Sequence, residues 1–351
     1  MSPENESLYR GRFTQKYNRL FYDAFRISRD HPAQGAFWLR TLLRQRRLAN
    51  RRRRLESDQL MIPPVLILSV TNRCNLHCKG CYASKRLDLV DQEVPISRIS
   101  SLFREAGELG IGVIMIAGGE PLMRQEILEA AGKQSQIIFP VFTNGMLLDG
   151  DRSTFFKNHH NMIPVLSIEG NRQFTDTRRG TGVYSLLEKR MAQLRESRQM
   201  FGMSITLTRD NFEEVTHPVL MHEKHAMGCT LFFLVEYVPQ SHADLNRCLT
   251  GTQKGLLQSR LEQLRAQVPA LFLSLPGDEE RYGGCLAAGR GFIHISADGN
   301  LEPCPFAPYS DINIRDVSLA EALQSSFMNR IRQSHQMLTE TQGGGTLWEN
   351  R

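Results

Sequence analysis

The sequence is poor in thiols and in long apolar runs. Its 351 residues hold only seven cysteines and two tryptophans, and no apolar stretch approaches the length needed to cross a bilayer. Seven is an odd number and the cysteines are bunched, which argues against a disulfide framework and for metal-binding thiols in a reducing compartment. The start "MSPENESLYRGRF" is polar and lacks a secretory signal, so the expected location is the cytoplasm. Acidic and basic residues nearly balance outside one segment: "LLRQRRLANRRRRL" (42–55) packs seven arginines, against a net charge of +6 for the whole chain. With 41% hydrophobic and 23% charged residues, the composition is that of a globular protein able to bury a large core.

Residues 1–60 read as a basic, partly helical lead-in, ended by Pro63-Pro64. Residues 61–240 then alternate apolar strands with amphipathic helices. The strands are expected at 65–70, 113–118, 137–143, 164–170, 203–208 and 231–238. Between them, patterns such as Ile99, Leu102, Phe103, Ala106 and Leu109, or Val183, Leu187, Met191 and Leu194, mark helices. This order predicts an α/β fold with a parallel sheet covered by helices, either open and doubly wound or a partial barrel of six βα units. Residues 241–335 read as a helical connector and a small extension with a hairpin at Ala297-Asp298-Gly299, then one last helix carrying Leu319, Leu323, Phe327 and Ile331; 336–351 form a glycine-rich tail.

Three of the seven cysteines, Cys74, Cys78 and Cys81, stand in "SVTNRCNLHCKGCYAS" immediately after the first strand. The loops at the C-terminal ends of parallel strands are where such folds place their chemistry. Zinc would want a fourth Cys or His, and His77 has no paired motif. A four-iron cluster held by three thiolates leaves one iron open to an external ligand.

The Cys-x3-Cys-x2-Cys spacing after an apolar strand resembles the signature of the radical S-adenosylmethionine (SAM) superfamily. The resemblance implies a partial (βα)6 TIM-type barrel, a 4Fe-4S cluster on Cys74, Cys78 and Cys81, and reductive cleavage of SAM to a 5′-deoxyadenosyl radical that abstracts hydrogen from a substrate. It extends to "AGGEP" after the second strand, where Gly118, Gly119, Glu120 and Pro121 would hold the SAM amino group. It also covers "TNG" with Asn144, and "LSIEG" with Ser167 and Glu169, which would contact the ribose and methionine. Arg179, with Arg178 as an equally placed rival, would pair with the SAM carboxylate. Gly80 stands where the family often has a large apolar residue, and Tyr82 is the nearby aromatic expected to replace it.

Cys285, Gly299 and Cys304 resemble the opening of a SPASM or twitch extension. No cysteine follows Cys304, which leaves two readings: buried thiols in a retained hairpin, or a second, auxiliary cluster completed by other ligands. Asp278, Glu279 and Glu280 read as a solvated turn or as acid/base groups. The resemblance further implies an electron donor such as a flavodoxin or ferredoxin, and a peptide or protein substrate in a maturation pathway ahead of a small metabolite or lipid. An iron-sulfur sensor or scaffold without catalysis is the alternative from another class. Arg44 to Arg54 suggest either an anionic partner or membrane surface, or a solvated helix docked by its apolar side.

Overall fold

The computed structural model describes residues 20–25, 32–56, 60–83, 93–239, 241–275, 284–334 and 347. The acidic triplet 278–280 and the tail beyond 334, Leu347 apart, lie outside the described residues. Six strands follow the expected order: β1 (Val65–Ser69), β2 (Val113–Ala117), β3 (Phe139–Thr143), β4 (Met162–Ile168), β5 (Phe201–Leu207) and β6 (Cys229–Glu236). Each pairs in parallel with the next. The crossovers contain α2 (Ile96–Leu109), α3 (Gln125–Gly132), α4 (Gly150–Asn158), α5 (Arg172–Arg179), α6 (Val183–Glu196), α7 (Phe212–Val215) and α8 (Pro218–Ala226); α1 (Pro32–Leu55) precedes β1.

Three strands join this sheet from beyond residue 240, giving a curled half-barrel of nine in the order β7-β6-β5-β4-β3-β2-β1-β8-β9. The segment expected to be only a helical connector holds α9 (Gly251–Gln267) and then β7 (Leu271–Leu275), which extends the sheet beside β6. The hairpin of β8 (Phe292–Ile295) and β9 (Leu301–Glu302) forms as expected, but β8 also pairs in parallel with β1, Leu66 opposite Ile293. Local periodicity does not encode a partner more than two hundred residues away, so this pairing was invisible in the sequence. The expected last helix is two, α10 (Leu319–Leu323) and α11 (Ser326–Gln333). Ser325 breaks the run by capping the second, accepting from the Met328 amide.

The strands are apolar on both faces, as covered parallel sheets require. On β1, Leu66 and Leu68 face the helices while Val65 and Ile67 face the barrel interior; β2 repeats this with Ile114 and Ile116 against Val113 and Met115. Phe21, Ala24 and Trp38 pack into the interior cluster and close one end of the barrel. The arginine-rich helix α1 is docked rather than free along one side. Gln45 donates to Gly112 O at 3.0 Å, Arg44 to Ser135 O at 2.7 Å, Arg51 to Gly107 O at 3.2 Å, and buried Arg52 to Gly110 O. Two of these guanidinium groups meet the C-terminal end of α2, where carbonyls lack helical partners and the helix dipole favours cations. Arg46, Arg47, Arg53 and Arg54 remain exposed.

The loop leaving β1 is clamped to the loop leaving β2. Gly119 N donates to Thr71 O at 2.7 Å and Glu120 N to Arg73 O at 2.8 Å. Arg124, itself buried, donates to Val70 O and Val94 O. A Cβ on Gly119 would lie 2.1 Å from Arg73 O, so backbone meets backbone where no side chain fits. Replacing Gly119 by Ala is therefore expected to destabilise the fold by about 1–3 kcal/mol and to reduce iron uptake, whereas Gly150→Ala, with nothing within 4 Å of its Cβ, should leave both near the parent. Thermal unfolding and iron analysis of the two variants check this.

Candidate active site

The C-terminal ends of the strands open into a cavity of about 520 Å³. Cys74, Cys78 and Cys81 line it, together with Tyr82, Gly118, Gly119, Asn144, Ser167, Arg178 and Arg179. Residues separated by as much as a hundred positions thus meet on one wall because each follows a neighbouring strand. Cys285 and Cys304 reach the same cavity from the C-terminal segment, and Cys304 Sγ accepts from Phe306 N at 3.5 Å. Glu120, Pro121 and Glu169 do not line the cavity; they stand immediately behind its wall.

The three clustered thiols are partly buried. Burial pushes the Cys74 thiol up, with the Glu120, Cys78 and Cys81 charges adding to the rise. Cys78 is raised by burial as well, against the opposing pull of Arg179 and Arg178. The loop that carries them is fixed on several sides. Lys79 N donates to Arg178 O at 2.9 Å and Arg178 Nε returns a bond to Lys79 O at 3.2 Å. Asn144 Nδ2 donates to Asn75 Oδ1 at 2.7 Å and lies 3.9 Å from Cys74 Sγ.

Glu120 is 1% exposed. Its Oε1 accepts from Leu122 N at 3.1 Å and Thr143 Oγ1 at 2.7 Å, and its Oε2 accepts from Asn144 N at 2.8 Å. Burial raises its pKa, and these three donors, with Arg179, work to hold the carboxylate charged. A carboxylate offers about four acceptor positions, so Oε2 retains one. Glu169 is equally buried, and both arginines converge on its Oε1, Arg178 at 2.7 Å and Arg179 at 2.6 Å, while Oε2 takes Thr206 N at 3.2 Å. Burial disfavours the Arg179 charge, but Glu169, Cys78 and Cys81 more than reverse this. Glu169 thus presents both guanidinium groups to the cavity and does not choose between them.

Sequence reasoning missed Tyr237, Ser204 and Glu236, which also line the cavity. Glu236 and Tyr237 lie at the end of a strand identified correctly, and reading the sixth strand end as the first four were read would have found them; Ser204 stands in the middle of β5, opposite Ser167, where only the strand pairing reveals it. Tyr82 packs edge-on against Phe306, ring centroids 5.2 Å apart, a contact between the cysteine loop and the C-terminal segment.

Residues 68–217 match the model of the Radical SAM superfamily. The AdoMet-dependent heme synthase of Methanosarcina barkeri is 25% identical over 290 residues, spanning 75% of this chain and 83% of that protein. Among solved structures, Streptococcus suis SuiB bound to its precursor peptide SuiA superposes with a TM-score of 0.64 at 16% identity, covering 90% of this chain and 75% of that one. The anSMEcpe structure with bound AdoMet and Cp18Cys peptide gives a TM-score of 0.60 at 16% identity, covering 77% and 82%. These two share the half-barrel fold. With this match over the segment that carries the cysteine loop and the three strand-end motifs after it, residues 68–217 are identified as a radical SAM domain.

Proposed function

We propose that the chain holds a 4Fe-4S cluster on Cys74, Cys78 and Cys81, binds SAM beside it, and uses the resulting radical to take a hydrogen atom from an organic substrate. The observation that carries this reading is the meeting of three thiols, Asn144 and two guanidinium groups on one cavity wall. The donor set suits a multi-iron group. The three thiols stand close enough to sense one another's charge, as ligands of one shared group do. When bound, the reduced cluster supplies the electron that splits the sulfonium of SAM.

The chain's own residues bind and orient. The remaining acceptor position on Glu120 Oε2 suits the SAM ammonium, and Pro121 opens the short turn that presents this carboxylate. Gly118 and Gly119 leave the wall open there. Arg179 or Arg178 offers a guanidinium fork to the carboxylate, with Glu169 holding both in place. Ser167 and Tyr82 supply a hydroxyl and a ring to the nucleoside side. A redox sensor or scaffold would have no use for these groups. The reducing electron comes from a donor of the flavodoxin or ferredoxin kind.

For the substrate, the SPASM-like Cys285 and Cys304 favour a peptide or protein in a maturation pathway. A second reading, a small metabolite or lipid, is favoured by the apolar wall of Ile67, Met115, Phe142, Val235 and Leu275 and by the similarity to a protein named a heme synthase. The exposed Arg46, Arg47, Arg53 and Arg54 leave a surface for an anionic partner. Docking of their helix accounts for the rest of the arginine run.

Two measurements test the reading. After anaerobic reconstitution, about four irons per chain should disappear in the Cys74, Cys78, Cys81 triple-alanine variant; iron retained there would mean that Cys285 and Cys304 hold an auxiliary cluster. Glu120→Ala should keep its iron but weaken SAM binding roughly 10- to 100-fold, the loss expected for a charged hydrogen bond. Parent-like affinity in that variant would remove Glu120 from the SAM site.

A further inference from the structure

Tyr237 directly follows β6 and is 4% exposed, yet its side chain lines the cavity. Its hydroxyl is buried beside the Arg247 guanidinium, and among the described residues no acceptor meets it at hydrogen-bonding geometry. The nearest cation, Arg247, offers only donors. The phenol proton, carried at neutral pH, therefore finds no acceptor among the described residues, and a buried donor without one costs stability.

The cysteine loop is shaped to admit this ring. Gly80, between Cys78 and Cys81, adopts φ +68°, and a Cβ there would lie 2.6 Å from the Tyr237 hydroxyl, 3.1 Å from its Cε2 and 2.8 Å from Arg247 Nη1. The space that a side chain at position 80 would occupy is filled by a phenol from the opposite side of the barrel mouth. The other aromatic of the loop, Tyr82, is engaged with Phe306 and does not fill it.

We propose that Tyr237 is a further SAM-binding residue, whose hydroxyl donates a hydrogen bond to an acceptor atom of SAM bound against the cysteine loop. This rests on the reading of the cavity as a cluster and SAM site. Glycine at position 80 and tyrosine at position 237 then form one device: the first vacates the space and the second brings a polar contact into it.

The test uses anaerobically reconstituted parent, Tyr237→Phe, Gly80→Ala and the double variant, measuring iron per chain, thermal unfolding and the dissociation constant of SAM by equilibrium dialysis. Tyr237→Phe retains the ring and is expected to keep the parent's iron content and unfolding temperature while weakening SAM binding about fivefold, the effect of one neutral hydrogen bond. Gly80→Ala should displace the phenol, and the double variant should bind SAM no more weakly than Gly80→Ala alone, because both changes remove the same bond. An unchanged SAM affinity in Tyr237→Phe, or losses that multiply in the double variant, would overturn the assignment. A parent that holds four irons but binds no SAM would instead sink the reading on which it rests, and the assignment with it.

Discussion

Two backbone hydrogen bonds between the first and second strand ends, Gly119 N to Thr71 O and Glu120 N to Arg73 O, set the position of everything at the barrel mouth. They fix the stem of the loop carrying Cys74, Cys78 and Cys81. The same turn delivers Glu120, whose carboxylate then gathers Thr143 and Asn144 from the third strand end; Asn144 in turn reaches back to Asn75. Three adjacent strand ends are locked into a ring of bonds before any ligand arrives. Preorganisation of this kind lowers the ordering cost of binding.

A second ring lies on the other side of the loop. Arg178 is bonded to Lys79 through backbone and side chain alike, and Glu169 holds it beside Arg179. These buried charges are tolerated because each is paired and hydrogen-bonded. The positive field that opposes the upward push of burial on Cys78 thus comes from groups whose first partner is a carboxylate behind the wall.

The six central strands, two of the crossover helices and the residues after the first four strands were legible in the sequence, because apolar runs of strand length and a 3.6-residue period are local signals. Cys74, Cys78 and Cys81 were legible through spacing alone. The partners of Glu120 and Glu169 were not, since their roles depend on which strand ends adjoin. Nor was the docking of Arg44, Arg51 and Arg52: a run of arginines reads the same whether it faces water or the end of another helix. Tyr237 lay in plain view after a correctly read strand, but its meaning depends on the empty space at Gly80, which only three dimensions reveal. The parallel pairing of β8 with β1 was out of reach for the same reason.

That pairing bears on how the chain reaches its final form. β1 is central in the finished sheet, but one of its two ladders is supplied by residues 292–295. Loop closure over so long a segment is entropically slow. During synthesis, the strand leading into the three cysteines therefore stays an open edge until residues 292–295 have emerged, exposed to mispairing in that interval. Closure also brings Cys285 and Cys304 to the cavity, so the thiol-lined pocket is complete only once residues 292–295 have joined β1.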